Sequence, residues 1–282
     1  MASEIKILHC TESTNIFHST SKKELAKNYI MKRILFFILL LTLMGCKKEN
    51  NKTYLPNITN YVQNSILFNT NLEYDSITDW DGNKYKTIKI GNQTWMAENL
   101  KVTHFCNGDA ILNITNDLDW DTLLIGSYRW YKNDSTSYKG IYGALYNWYA
   151  VNDPRKIAPL GWHVPTVSEW AELINYLGGQ SSGSNKYSGS DKLKEVGSTH
   201  WQYRPSWQGI ATNETGFTAL PGGYTISFGE FDYLGIYGAW WSNTEEFILN
   251  ESYCMFIYYA NDWIIKSNNP KTCGHSVRCI KD

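Results

Sequence analysis

Hydrophobic and polar positions along this chain change period several times, and the clearest change lies between Gly161 and Gly179. Gly161-Trp162-His163-Val164 reads as a short apolar strand halted by Pro165. Trp170, Leu173, Ile174 and Leu177 then fall at i, i+3, i+4 and i+7, the spacing of a helix that buries one face. Thr166, with Glu169 three residues on, has the spacing of a capping box, and Gly178-Gly179 supplies the stop. A helix of about a dozen residues is marginal alone, so its tryptophan and leucine face predicts a docking platform.

Elsewhere the pattern is more strand-like. Tyr85, Ile88 and Ile90 are apolar at mostly even spacing between the turn signals Asp81-Gly82-Asn83 and Gly91-Asn92, which predicts a hairpin over 79–100. Residues 101–139 are irregular and acidic. Within them Asp117, Asp119 and Asp121 alternate in a run read as a solvated loop, because it lacks the mid-loop glycine and terminal glutamate of an EF-hand. Tyr142, Leu145, Tyr146 and Tyr149 fit a short helical face. A serine- and glycine-rich stretch after Gly179 leads to Trp201, Tyr203 and Trp207 in polar surroundings. That stretch is the expected ligand surface, since loops carry variable function on a fixed scaffold.

The N-terminal part differs in character. Residues 1–30 are polar, mixed in charge and without a clear apolar period. Met31-Lys32-Arg33 then opens a basic region followed by ILFFILLLTLM. This apolar run falls short of the roughly 20 residues of a comfortable membrane span and suits the core of a signal peptide. Leu43-Met44-Gly45-Cys46 closes it as a lipobox, in which the Cys46 thiol takes the lipid. The expected division is an extension over 1–30, a signal peptide over 31–45, a lipidated polar tether over 46–77 and a domain over 78–282. Such a chain is addressed to the outer membrane and the cell surface, with the membrane as a partner through its lipid.

Composition narrows the class. Aromatics at 15% and 21 glycines favour a sheet-rich, turn-rich domain, and a net charge of -1 gives no electrostatic case for nucleic acid. Setting aside Cys10 and Cys46 leaves Cys106, Cys254, Cys273 and Cys279 as disulfide candidates in an oxidising compartment, with Cys254–Cys273 the preferred pair. Neither the cysteines nor the histidines have metal-ligand spacing. There is no Gly-x-Ser-x-Gly elbow, P-loop or His-Glu-x-x-His, so no catalytic residue is assigned and no cofactor is expected.

Several stretches resemble one family when taken together and in order. These are WDGNKYKTIKIGNQTWMAENLKVT, YGALYNWYAV, GWHVPTVSEWAELINYLGG, GFTALPGGY, AWWSNTE and SVRCIKD. The pattern is similar to the Fibrobacter succinogenes major paralogous domain, found in many lipoproteins of Bacteroidetes and Fibrobacteres. The resemblance implies an α+β, C-type-lectin-like fold with short antiparallel strands, one main helix and long irregular loops. It also points to the formylglycine-generating branch of that fold. Ser252-Tyr253-Cys254 matches the start of that branch's copper site, but Tyr259 stands where the second cysteine belongs, so an oxidase is disfavoured. In C-type lectins a Trp-Asn-Asp segment ligates calcium, and Asn243 and Glu245 are its nearest equivalents here. Two such ligands fall short of the 6–8 oxygens calcium takes. The expected function is ligand binding or adhesion, for glycans, through Trp201 and Trp207. The alternative is an assembly role with another envelope protein.

Overall fold

The computed structural model describes residues 65–183, 185–202, 211–226, 228–246 and 250–282. Strands β1 (Asp75–Thr78), β2 (Lys84–Ile90), β3 (Gln93–Met96) and β4 (Leu112–Asn113) come first. Helix α1 (Asp117–Thr122), β5 (Ser127–Arg129), α2 (Ser135–Tyr142), β6 (Leu145–Tyr146) and α3 (Trp148–Val151) follow. Next are β7 (Trp162–His163), α4 (Val167–Tyr176), β8 (Lys186–Ser188), β9 (Gly222–Thr225) and β10 (Phe231–Leu234). The chain closes with β11 (Tyr237–Glu246), β12 (Glu251–Tyr258), β13 (Trp263–Pro270) and β14 (Ile280–Lys281). Strands dominate and helices are few, an α+β arrangement. Among the described residues no helix is long and apolar enough to cross a membrane.

A five-stranded sheet runs in the order β1-β2-β3-β14-β7, and a four-stranded antiparallel sheet in the order β11-β12-β13-β8. The second explains why AWW and CMFI read as unbroken apolar runs. Trp241, Cys254 and Phe256 join one core cluster, while Trp240, Met255 and Ile257 join another, so alternate side chains of β11 and β12 are buried on both faces. The expected hairpin is present, with Ile88 opposite Trp95 and Ile90 opposite Gln93.

Helix α4 forms as its spacing predicts. The Thr166 hydroxyl accepts from the Glu169 N–H at 3.3 Å, and Glu169 Oε2 accepts the Thr166 N–H at 2.7 Å. Trp170 docks the helix against Trp95 (centroids 4.9 Å apart), Phe217 and Trp240. Arg278, wholly buried, fastens β14 beside this cluster. Its guanidinium donates to Asn99 Oδ1 (2.9 Å), the Thr218 carbonyl (2.8 Å) and the Phe217 carbonyl, and it lies 4.2 Å from the Phe217 ring. Burial without a facing carboxylate in hydrogen-bond contact pulls its pKa down to about 9.

Several expectations need correction. The acidic run is not a loop: Asn116 caps the Asp119 N–H, Asp117–Thr122 is helical, and Trp120 is buried beneath it. The single helical face over 142–149 is two helices split by β6, because Gly143 at φ +72 lets the chain turn against Leu100 and Asn99. No disulfide joins Cys106, Cys254, Cys273 and Cys279. Cys254, Cys273 and Cys279 pack as small apolar side chains in one core cluster, and the Cys254 thiol donates to the Ser267 carbonyl at 3.7 Å. The domain also includes residues before 78. Phe68, Leu72 and Tyr74 pack on the α4 cluster, and the Leu67 N–H donates to Glu195 Oε1 at 2.7 Å.

Candidate functional site

The residues singled out for ligand binding that the structure describes are Trp201, Asn243 and Glu245. Trp201 is 4% exposed; its indole N–H donates to the Ala219 carbonyl at 3.0 Å, and Lys194 lies over its ring. It is a core residue and cannot stack on a ligand. Trp207 and the lipidation candidate Cys46 lie outside the described residues. Asn243 is exposed where β11 shifts register, with its N–H bound to the Pro165 carbonyl. Glu245 is ion-paired with Lys271, which in turn lies 4.8 Å from the Trp148 ring. Among the described residues no three His, Cys, Asp or Glu are grouped to hold a metal. Cys254 of the Ser-Tyr-Cys stretch is fully buried, and burial pushes its thiol pKa well up.

Histidines sit in built environments. His200 has an acidic partner five residues back: its Nδ1 is 2.6 Å from Glu195 Oε2, both side chains 1% exposed. Lys194 beside them is pulled to about 8 by burial. His163 lies between Asp282 (Nδ1, 2.6 Å) and Glu169 (Nε2, 2.7 Å). Partial burial works against its charge, but the two carboxylates outweigh it and raise its pKa. This cluster joins β7 and the chain beyond β14 to the start of α4.

The aromatic surface lies elsewhere. Tyr176 is 61% exposed at the end of α4, on the outward face with Glu172 and Asn175, opposite Trp170 and Leu173. The turn Gly91-Asn92 between β2 and β3 runs against it. Gly91 has φ +61, and a Cβ there would lie 2.8 Å from Tyr176 Cδ2. The bare Cα is thus a seat for the ring, which is positioned although exposed. On one side of Tyr176 is a cleft of about 640 Å³ with Lys89, Asn92, Glu172 and Asn175; on the other is one of about 390 Å³ with Lys192, Glu214 and Thr215. Lys192 is engaged, donating to the Leu177 carbonyl at 3.1 Å and lying 3.4 Å from Glu214. The side chains of Lys89, Asn92, Glu172, Asn175 and the Tyr176 hydroxyl make no polar contact among the described residues. Donors and acceptors therefore converge, unspent, around one aromatic ring.

A third cleft, of about 270 Å³, lies beside Trp80, which is 60% exposed. The sequence carried a signal for both aromatics. Tyr176 interrupts an otherwise polar helix face, and Trp80 stands in a turn between two aspartates, where a large apolar side chain has no packing reason to be.

Over residues 88–281 the chain matches the family model described as the Fibrobacter succinogenes major domain. No curated protein and no solved structure matches it.

Proposed function

The chain belongs to the Fibrobacter succinogenes major domain family, whose match runs from within β2 to β14, and we propose that its domain is a saccharide-binding module held at the cell surface by a lipid on Cys46. The observation that carries this reading is the Tyr176 ridge. The apolar C–H face of a pyranose stacks on an electron-rich ring, while its hydroxyls need planar donors and acceptors at the edge. Tyr176 supplies the first, and Asn92, Asn175, Glu172 and Lys89 supply the second. The reading does not call on calcium: Asn243 and Glu245 are not among the residues lining the two clefts, and Glu245 is ion-paired with Lys271. An oxidase is disfavoured by the buried Cys254 thiol and by Tyr259 at the place of a second cysteine.

The test is calorimetry of the full chain, in a detergent free of sugar, against cello-, xylo-, malto- and mannohexaose, with and without calcium. At least one hexaose binds the wild type, calcium makes no difference, and Tyr176→Ala reduces the amount bound without lowering the melting temperature. Binding that Tyr176→Ala leaves unchanged, or that requires calcium, would overturn the reading. Labelling with palmitate that persists in Cys46→Ser would overturn the anchor. A second reading, contact with another envelope protein, is favoured by Leu118, Leu124 and Phe228. All three are exposed around α1, where Gly229 abuts Asp117.

A further inference from the structure

We propose that the cleft beside Trp80 is a second saccharide site, which takes a single terminal sugar ring, and that the domain is therefore bivalent. The proposal rests on the saccharide reading of the Tyr176 ridge and on a repetition of its construction. Trp80 projects from the turn between β1 and β2, yet its indole is not loose. Gly108, at φ +89, lies under it, and a Cβ there would meet Trp80 Cζ2 at 2.7 Å. A bare Cα again seats an exposed ring. Val102, Ile157 and Pro159 line the cleft with Leu160, itself 88% exposed.

One side of the cleft is polar and fixed. His104 Nδ1 is 2.5 Å from Asp81 Oδ1. Asp81 Oδ2 in turn accepts the Thr103 N–H at 2.5 Å and the Thr103 hydroxyl at 2.8 Å. The carboxylate sets the orientation of the imidazole and leaves Nε2 unengaged among the described residues. An oriented ring nitrogen beside a seated indole provides a hydrogen-bonding point and a stacking face, the minimum for one sugar. About 270 Å³ lies just below the roughly 300–1,000 Å³ of small-molecule sites, so the space admits a ring and not a chain. The Tyr176 ridge, with clefts on both sides, suits a chain that continues past it.

The two platforms cannot serve one sugar. Trp80 precedes β2 and Gly91 follows it, and a seven-residue strand at about 3.3 Å per residue separates them by roughly 20 Å or more. They are independent sites, and one domain can hold two glycan chains.

The experiment is the same titration with the hexaose panel, on the wild type, Trp80→Ala, Tyr176→Ala and the double variant, each checked for an unchanged melting temperature. The wild type is expected to bind two hexaoses per chain, each single variant one, and the double variant none. Glycan-coated beads should be clumped by the wild type alone. If Trp80→Ala keeps the wild-type stoichiometry and clumping, the second site is overturned and the Tyr176 reading stands. If Tyr176→Ala is without effect and Trp80→Ala abolishes all binding, the Tyr176 reading and bivalency fall together, leaving one site at Trp80. No heat with any hexaose overturns both.

Discussion

Replacing Gly91 with alanine separates the seat under Tyr176 from the ring itself. Two effects act on stability. Holding an L-residue at φ +61 costs about 1–2 kcal/mol, while restricting the unfolded chain returns about 0.4–1 kcal/mol. The net loss is about 1 kcal/mol. The added Cβ would lie 2.8 Å from Tyr176 Cδ2, inside van der Waals contact, and the ring is exposed enough to swing away without moving the backbone. Stability should therefore fall by the same amount in the wild type and in Tyr176→Ala. Binding should behave differently. Losing a hot-spot aromatic costs about 2 kcal/mol, or roughly 30-fold in Kd, and Gly91→Ala should reach that loss with the ring still present. In the Tyr176→Ala background it should add nothing. A cycle of urea melts and calorimetric titrations reads both quantities. Binding by Gly91→Ala within about threefold of wild type, on the hot-spot scale just used, would show that the ring does not depend on its seat.

Other expectations follow from the buried polar groups. Arg278→Met leaves the Phe217 and Thr218 carbonyls without their donor, while Asn99 Oδ1 keeps the Trp240 indole N–H; at about 1–3 kcal/mol each the loss is about 2 kcal/mol or more, read as a lower urea midpoint at unchanged slope. His163 has a folded pKa above its unfolded value, so its stabilisation is complete below the unfolded value of about 6.5 and is lost as pH rises through the folded one. Melting temperatures measured from pH 6 to 9 should show this decline, and His163→Gln should remove it. Among the described residues Cys106, beside the Trp80 cleft, is the one partly exposed thiol, whereas Cys254 and Cys279 are buried with raised pKa. In a Cys10→Ser, Cys46→Ser background, Cys106→Ser should abolish the fast phase of labelling by an aromatic disulfide, and persistence of that phase would refute the assignment.

Signals in the sequence are legible where the physics is local. The capping box, the four-residue apolar stripe and the glycine stop defined α4, and alternation between two turn signals defined β2 and β3. Exposure is not local. Trp201 and Trp80 both stand among polar residues in sequence, but Trp201 is covered by Lys194 and by Ala219, whose carbonyl takes its N–H, while Trp80 lies over the bare Cα of Gly108 and stays 60% exposed. The histidine-acid pairs divide in the same way. Glu195 lies five residues from His200, yet Asp282 reaches His163 only through the pairing of β14 with β7. The acidic face of α1 concealed a helix because its one buried residue, Trp120, gives no periodic stripe in so short a segment.

The position of β14 governs when this domain can become itself. Ile280 pairs with both Trp95 and His163, so the strand fills the middle of the five-stranded sheet and not its edge. Until residues 277–281 arrive, β3 and β7 have no partner between them, and the Asn99 and Phe217 oxygens lack Arg278. Pairings so distant in sequence close slowly, because the loop entropy is lost before any contact repays it. A domain built this way stays open until β14 is in place, however much of the sheet before it has already been made.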